Sequence, residues 1–213
     1  MAQIITPEKA ATFVKDGSRV MIGGFMNCGT PPKIIDALIV SGAKNLTVIA
    51  NDNSMTGKGI SRLVAEKRLK KTISTHLGLN PETGVQMAAG VLEVEVMPQG
   101  TFAERIRCGG AGLGGVLTPT GVGTVIEEGK QKIVIDGKTY LLELPLRADV
   151  ALLKGWRADK HGNIVYRLAT RNFQPMMAMA ADTVIVEVDA IVDSINPDHI
   201  HTPGILVNYL VQG

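Results

Sequence analysis

The chain has 213 residues, a formal charge of +2 and 45% hydrophobic residues. That length supports a sizeable core, expected as a single domain over 1–213, and the near-neutral balance leaves no basic footprint for nucleic acid. No apolar run nears the roughly 20 residues of a membrane span, residues 1–10 lack a signal peptide's pattern, and two cysteines cannot frame a disulfide scaffold, so a cytoplasmic protein acting on a small molecule is expected.

Thr6-Pro7-Glu8 supplies an N-cap, a proline at N1 and a first-turn acid, which predicts a helix over 7–15, closed by Gly17. A short apolar strand follows over 18–25. Thr30-Pro31 opens a second helix with Ile34, Ile35, Leu38 and Ile39 on one stripe and Gly42 at its end. Residues 45–51 read as a buried strand, completing a β-α-β unit with a crossover suited to a parallel pair. The alternation continues with a helix over 58–67, a strand over 71–76, a helix over 80–90, a strand over 91–97 and a helix over 101–108. Alternation of this kind predicts an α/β fold, a mostly parallel sheet covered by helices on both faces.

The second half reads differently. Asp136-Gly137 between two alternating runs is a hairpin signal, and a second hairpin is expected around His161-Gly162-Asn163. MMAMAA (176–181) suits a buried helix and TVIVEV (183–188) a central strand. The expectation is one α/β domain with antiparallel hairpin additions.

Ligands of parallel sheets bind beyond the carboxyl ends of the strands. Three predicted strands end in Gly23-Gly24-Phe25, Asn51-Asp52-Asn53 and Pro98-Gln99-Gly100, which places Asn51 and Gln99 as neutral amides at one crevice. Such donors suit a developing oxyanion or a substrate carboxylate. On spacing alone the plainer reading, that they cap loops and helices, ranks first. In the stretch 22–34, Gly23 and Gly24 permit close approach of the backbone, Gly29 permits a positive φ, and the following helix N-terminus favours an anion. This is neither a Walker A loop nor G-x-G-x-x-G. The literal G-x-G-x-x-G at Gly110, Gly112 and Gly115 follows a helix rather than a strand, and is read instead as a mobile loop, 108–124, over a site or an interface. His76, His161, His199 and His201 lack zinc-motif spacing, and Cys28 and Cys108 are not C-x-x-C, so no metal is expected. His199 and His201 read as a loop pair. Cys28 is a candidate nucleophile near a helix N-terminus, with no base supplied. Arg105 and Arg107 read as a solvated helix face or a subunit contact.

Together these segments resemble the first subunit of family I CoA-transferases. The resemblance is carried by Asp16-Gly17-x-x-Val20-Met21-Ile22-Gly23-Gly24-Phe25-x-x-x-Gly29-x-Pro31, by Asn51-Asp52, by PQGTFAERIRCGGAGLGG (98–115), by TPTGVGTVIEEGK (118–130), by TRNF (170–173) and by the IHTPG end. It covers nearly the whole chain. Within the family the α subunits of acetate/butyrate:acetoacetate CoA-transferases are the nearest group, and the 3-oxoacid and 3-oxoadipate transferases are neighbours. The resemblance implies ping-pong covalent catalysis through an acyl-glutamyl anhydride and a glutamyl-CoA thioester, with CoA as a substrate and no tightly bound cofactor. It places the nucleophilic glutamate on a β subunit, in a Ser-Glu-Asn-Gly type motif that this chain lacks, and implies an α2β2 heterotetramer. The glutamates here, Glu93, Glu95, Glu104, Glu127, Glu128 and Glu143, lack the expected glycine loop. By the same carry-over Gly24, Phe25, Met26, Asn27, Cys28, Gly29 and Thr30 contact CoA, while Asn51 and Gln99 lie near the reacting carbonyl. Two other expectations compete: a self-sufficient sugar-phosphate isomerase or deaminase with a basic phosphate clamp, and a non-enzymatic CoA-binding subunit.

Overall fold

The computed structural model describes residues 2–213. Its large sheet runs in the order β1-β12-β11-β9-β2-β3-β4-β5, with every pair along that path parallel. The strands are β1 (Gln3–Ile4), β2 (Arg19–Ile22), β3 (Leu46–Ile49), β4 (Leu69–Ser74), β5 (Glu93–Val96), β9 (Ala148–Asp159), β11 (Ala181–Val192) and β12 (Tyr209–Gln212). A separate antiparallel sheet holds β6 (Val116–Thr118), β8 (Lys138–Glu143) and β7 (Lys132–Ile135).

Side chains alternate along each strand, so the parallel sheet feeds two cores. Met21, Ile49, Ala151, Leu153 and Val186 face α5 (Gln99–Ala111) and α6 (Gln174–Met179), where they meet Phe102, Ile106 and Met177. Val20, Ile22, Val48 and Leu152 face the opposite layer, with Ala10 of α1 (Pro7–Ala11), Ile34, Ile35 and Leu38 of α2 (Pro32–Ser41), and Ile60 and Leu63 of α3 (Ile60–Ala65). On this side α4 (Pro81–Ala88) buries Thr83 and Gln86. The expected layering, helices on both faces plus an antiparallel addition, is therefore present.

Several boundaries move, each for a local reason. The first helix stops at Ala11 because the Thr12 hydroxyl donates to the Lys9 carbonyl and the chain tightens into single turns. The first strand ends at Ile22, not Phe25: Gly23 N still bonds the Leu152 carbonyl, but Gly24 at φ 130 breaks the ladder. The second helix starts at Pro32, with Pro31 as N-cap, and one of its free amides, Ile34 N, donates to the buried Glu187 carboxylate at 3.1 Å.

The helix α5 spans Gln99–Ala111 rather than 101–108, and the run 108–124 is not one loop. Cys108, Gly109, Gly110 and Ala111 are helical, Gly112 at φ 70 is the C-cap, and β6 follows at Val116. Gly109 and Gly110 have a packing cause: a Cβ at either would collide with the Leu146 carbonyl or with Met179.

The hairpin at Asp136-Gly137 is β7–β8, with both turn residues at positive φ as a type I′ turn requires. The second expected hairpin survives only as β10 (Ile164–Val165) against the end of β9. Most of β9 is a central parallel strand between β2 and β11. Arg105 is not a solvated residue. It donates to the Leu144 carbonyl at 2.7 Å and to Glu95 at 3.1 Å, tying α5 to β5 and to the chain leaving β8.

A candidate half-site at the carboxyl ends of the strands

Strand order reverses direction between β9 and β2: the chain proceeds from β2 through β3 and β4 to β5 on one side, and from β9 through β11 to β12 on the other. A crevice opens beyond the strand ends at such a point. It is filled here by residues 23–30 and, beside them, by a cavity of about 350 Å³ lined by Phe25, Met26, Asn51, Asp52 and Gln99 together with Thr75, His76 and Leu79.

The two amides expected at the crevice meet. Gln99 Nε2 donates to Asn51 Oδ1 at 3.2 Å across 48 residues of sequence. Asn51 is buried at 2% exposure, while Gln99, the first residue of α5, is exposed. Thr75, just past β4, donates its hydroxyl to Asn51 Oδ1 at 3.1 Å and to the Asn51 carbonyl at 3.0 Å. Asn51 Nδ2 donates to Asp52 Oδ2 at 2.9 Å. Each amide nitrogen thus commits one hydrogen and retains a second.

Asp52 is the one carboxylate on the cavity wall, and both of its oxygens are engaged. Oδ2 accepts from Met26 N at 3.0 Å as well as from Asn51, and Oδ1 accepts from Ser54 N at 2.8 Å. None of the six glutamates singled out from the sequence lines this cavity. Glu93 and Glu95 pair with Lys71, Glu104 with Arg107, Glu127 with Lys132, and the buried Glu143 with Lys130. Burial acts to raise the pKa of Glu95, but the hydrogen bonds and charges of Lys71 and Arg105 outweigh it and hold the carboxyl below its ordinary range.

The glycine stretch is a clamped turn. Phe25 and Cys28 exchange both backbone hydrogen bonds, at 3.1 and 2.8 Å, around Met26 (φ 50) and Asn27 (φ 74). That is the type I′ pattern, and methionine is a poor residue for it. The Thr30 hydroxyl fills the space a Cβ on Gly24 would need. Fully buried Gln174, from α6, takes the space beside Gly23 and Gly29; its Nε2 donates to the Gly29 carbonyl at 2.6 Å and its Oε1 accepts from Lys154 N at 3.2 Å. Asn172 donates to the Cys28 carbonyl at 3.0 Å.

Of the seven loop residues carried over as CoA contacts, only Phe25 and Met26 line the cavity. The Asn27 side chain turns to Met55 N at 3.0 Å, and Cys28 lines a different hollow with Lys154, Trp156 and Arg167. Sequence reasoning missed Thr75, His76 and Gln174. The first two carried a legible signal, the end of a predicted strand of the parallel sheet. Gln174 carried none, since it acts through tertiary packing.

Comparison with known proteins decides the family. The coenzyme A transferase family model matches residues 4–213. This chain belongs to the coenzyme A transferase family. It is 51% identical over 211 residues to the acetate CoA-transferase subunit alpha of Escherichia coli (strain K12), covering 98% of this chain and 96% of that one. It is 53% identical over 213 residues to the acetoacetyl-CoA:acetate/butyrate CoA transferase alpha subunit of Clostridium acetobutylicum, covering 99% and 98%. In structure it is similar to an acyl-CoA transferase of E. coli O157:H7 solved as a thioester complex with CoA, at TM-score 0.88 and 20% identity; the match takes in all of this chain but 47% of that one, so this chain spans about half its length. Glutaconate coenzyme A-transferase of Acidaminococcus fermentans matches at TM-score 0.88 and 18% identity, over all of this chain and 76% of that one, which supports the fold. Membership in a CoA-transferase family turns the amides and the spent carboxylate into parts of one chemical question. The relatives do not favour the isomerase alternative; no lysine or arginine lines this cavity, while Lys154 and Arg167 line the hollow beside Cys28.

Proposed function

We propose that residues 1–213 form the α-subunit domain of a two-subunit CoA-transferase. It moves CoA between a short-chain acyl-CoA, acetyl-CoA or butyryl-CoA, and a carboxylic acid such as acetoacetate. The alpha-subunit names and substrates of the relatives at 51% and 53% identity support this reading. The observation that carries it is the cavity: it offers neutral N–H donors, and its only wall carboxylate is consumed by three of them. This supports an attacking carboxylate from another chain, here taken to be a β subunit in an α2β2 assembly. A cytoplasmic setting agrees with two unpaired cysteines.

The chemistry explains why neutral amides suffice. A glutamate oxygen of the β subunit attacks the thioester carbonyl and the carbonyl electrons move onto oxygen. The oxyanion collapses, the C–S bond breaks, and an acyl-glutamyl anhydride and CoA thiolate result. The thiolate attacks the glutamyl carbonyl, the anhydride C–O bond breaks, and the first acid leaves as its carboxylate. A second carboxylate then runs the sequence in reverse. Negative charge passes from carboxylate to thiolate and back, so no proton has to move. What the site must supply is stabilisation of each oxyanion and exclusion of water. The second N–H of Gln99 and of Asn51 serves the first need. Residues 24–30 serve as the CoA-contacting segment, with Phe25 and Met26 facing the cavity.

The test is exchange between acetyl-CoA and acetoacetate or butyrate, with this chain and its companion co-expressed and each alone as a control. Exchange is expected only from the pair. Gln99→Ala in the pair should lower kcat by about 10²- to 10³-fold, as loss of one oxyanion donor does, with its melting temperature little changed. Exchange by this chain alone, or equal losses in rate and stability, would overturn the reading.

A further inference from the structure

Asp52 is a buried carboxylate, 4% exposed, that forms no ion pair among the described residues. Burying an unpaired charge is costly, and such a group persists where its neighbours need it. Its three partners are all N–H groups, and a single oxygen, Oδ2, joins two parts of the site: the backbone of Met26 and the side chain of Asn51. We propose that Asp52 is a positioning residue that couples the strained turn at Met26–Asn27, through Asn51, to the donor face of Gln99. This rests on the CoA-transfer reading of the cavity.

The first arm holds the turn. Met26 sits at φ 50, a left-handed conformation that a long side chain rarely adopts. The bond from its N–H to a carboxylate is charge-assisted, and such bonds are roughly twice as strong as neutral ones. The Asn27 side chain adds a second tie, accepting from Met55 N at 3.0 Å. The turn that presents Phe25 and Met26 to the cavity is thereby fastened to the segment that carries Asn51.

The second arm sets the sense of two amides. A carboxylate only accepts, so it forces Asn51 to present Nδ2 to Asp52 and Oδ1 to the other side. With Oδ1 fixed, Gln99 must present Nε2, which donates at 3.2 Å, while the Thr75 hydroxyl shares its one hydrogen between Oδ1 at 3.1 Å and the Asn51 carbonyl at 3.0 Å. Gln99 is then held with its nitrogen, not its oxygen, in the chain of bonds, and the second N–H of that nitrogen remains for an oxyanion. Asp52→Asn keeps the shape and removes the compulsion. An asparagine at 52 donates as readily as it accepts, Asn51 can turn over, and Gln99 can follow and bring a carbonyl oxygen towards the developing negative charge.

The experiment is a double-mutant cycle in the co-expressed pair, with kcat and the acyl-CoA KM read separately. Asp52→Asn is expected to lower kcat about tenfold or more, a part of the roughly 10²- to 10³-fold lost with an oxyanion donor outright, and to raise the acyl-CoA KM. In a Gln99→Ala background the same substitution should lower kcat by a smaller factor than in the unaltered pair, because one of the two donors it orients is gone and only the Asn51 N–H remains. Met26→Gly tolerates the left-handed turn. Added to Asp52→Asn, it should restore the acyl-CoA KM towards that of Met26→Gly alone and leave kcat depressed. Should Asp52→Asn fail to assemble, the Met26→Gly/Asp52→Asn pair replaces it in the cycle, with Met26→Gly as reference.

Equal kcat losses in the two backgrounds would overturn the coupling while leaving the CoA site intact. So would failure of both Asp52 variants to assemble, which would mark a scaffold residue. If the unaltered pair exchanges CoA and Gln99→Ala does not slow it, the reading of the cavity fails and the coupling fails with it. Absence of exchange in the unaltered pair overturns both.

Discussion

Asn51 and Gln99 present the same functional group from different depths, and that difference was not legible in the sequence. Their strand-end positions were, because a parallel sheet puts its strand termini on one edge. Burial was not, because it depends on Thr75 and Asp52 closing around Asn51. His201 shows the same limit away from the cavity. Read as half of a loop pair, it stacks on Tyr166 at 5.9 Å between ring centroids and accepts the Tyr166 N–H at Nδ1, 3.0 Å away. Burial, with smaller contributions from the charges of Arg171 and His199, lowers its pKa below the ordinary value of 6.5. The neutral ring is thus the one the fold prefers. The unfolded chain binds the proton first as pH falls, so stability is full above about pH 6.5 and declines below it until the folded ring also protonates. The melting temperature should drop between pH 7 and pH 5. His201→Asn, which offers a carbonyl oxygen in place of Nδ1, should remove that part of the slope. An unchanged slope would place the acid sensitivity elsewhere.

The helices and strands that mattered most were the ones whose sequence signals were overruled by packing. Gly109 and Gly110 read as loop residues because glycine in a helix interior costs about 0.5–1 kcal/mol relative to alanine. They are helical because α5 lies against the Leu146 carbonyl and Met179 with no room for a Cβ. This brings Phe102 into edge-to-face contact with Phe173, 5.4 Å between centroids, and fixes the helix that starts at Gln99. The sequence signal within β9 misleads for a related reason. The turn at His161-Gly162-Asn163 is real, with Asp159 accepting from His161 N and Asn163 N, but it terminates a long central strand rather than a free hairpin. β1 and β12 span two and four residues, too short to show a period. Close packing makes a measurable distinction between two glycines of one helix. Gly109→Ala should cost about 2–3 kcal/mol, the upper range for overpacking, because backbone must give way. Gly112→Ala meets open space and should cost only the left-handed strain of its φ 70, about 1–2 kcal/mol. Urea midpoints of the two variants at constant m-value would rank them. The reverse order would mean that α5 can slide away from residue 146, and that its hold on Gln99 is looser than its contacts indicate.

At the scale of the molecule, the parallel sheet was readable from alternation, whereas the strand order was not, since nothing local says that β9 inserts between β2 and β11. That insertion creates the reversal, and the reversal creates the crevice where residues 23–30 meet Asn51 and Gln99. The cavity at Asn51 and Gln99 has donors and one carboxylate, Asp52, which is fully engaged, and on the proposed reading this governs where a covalent intermediate can form. A glutamyl thioester is stable to isolation only if water is kept out and no second acid is present to complete the exchange. Mixing the co-expressed pair with acyl-CoA alone should therefore leave a fraction of the enzyme as a CoA adduct. Intact-mass measurement of the two separated chains locates it: the companion should gain the mass of CoA less one water, and this chain should show its unmodified mass. Hydroxylamine should discharge the adduct, as expected of a thioester. On the proposed reading, in which the amide stabilises the oxyanion and does not provide the attacking atom, Gln99→Ala should slow its appearance without moving it to the other chain. An adduct on any acidic residue of this chain would require one of its paired glutamates, or Asp52 itself, to leave its partners and reach the thioester, and the half-site would then be a whole one.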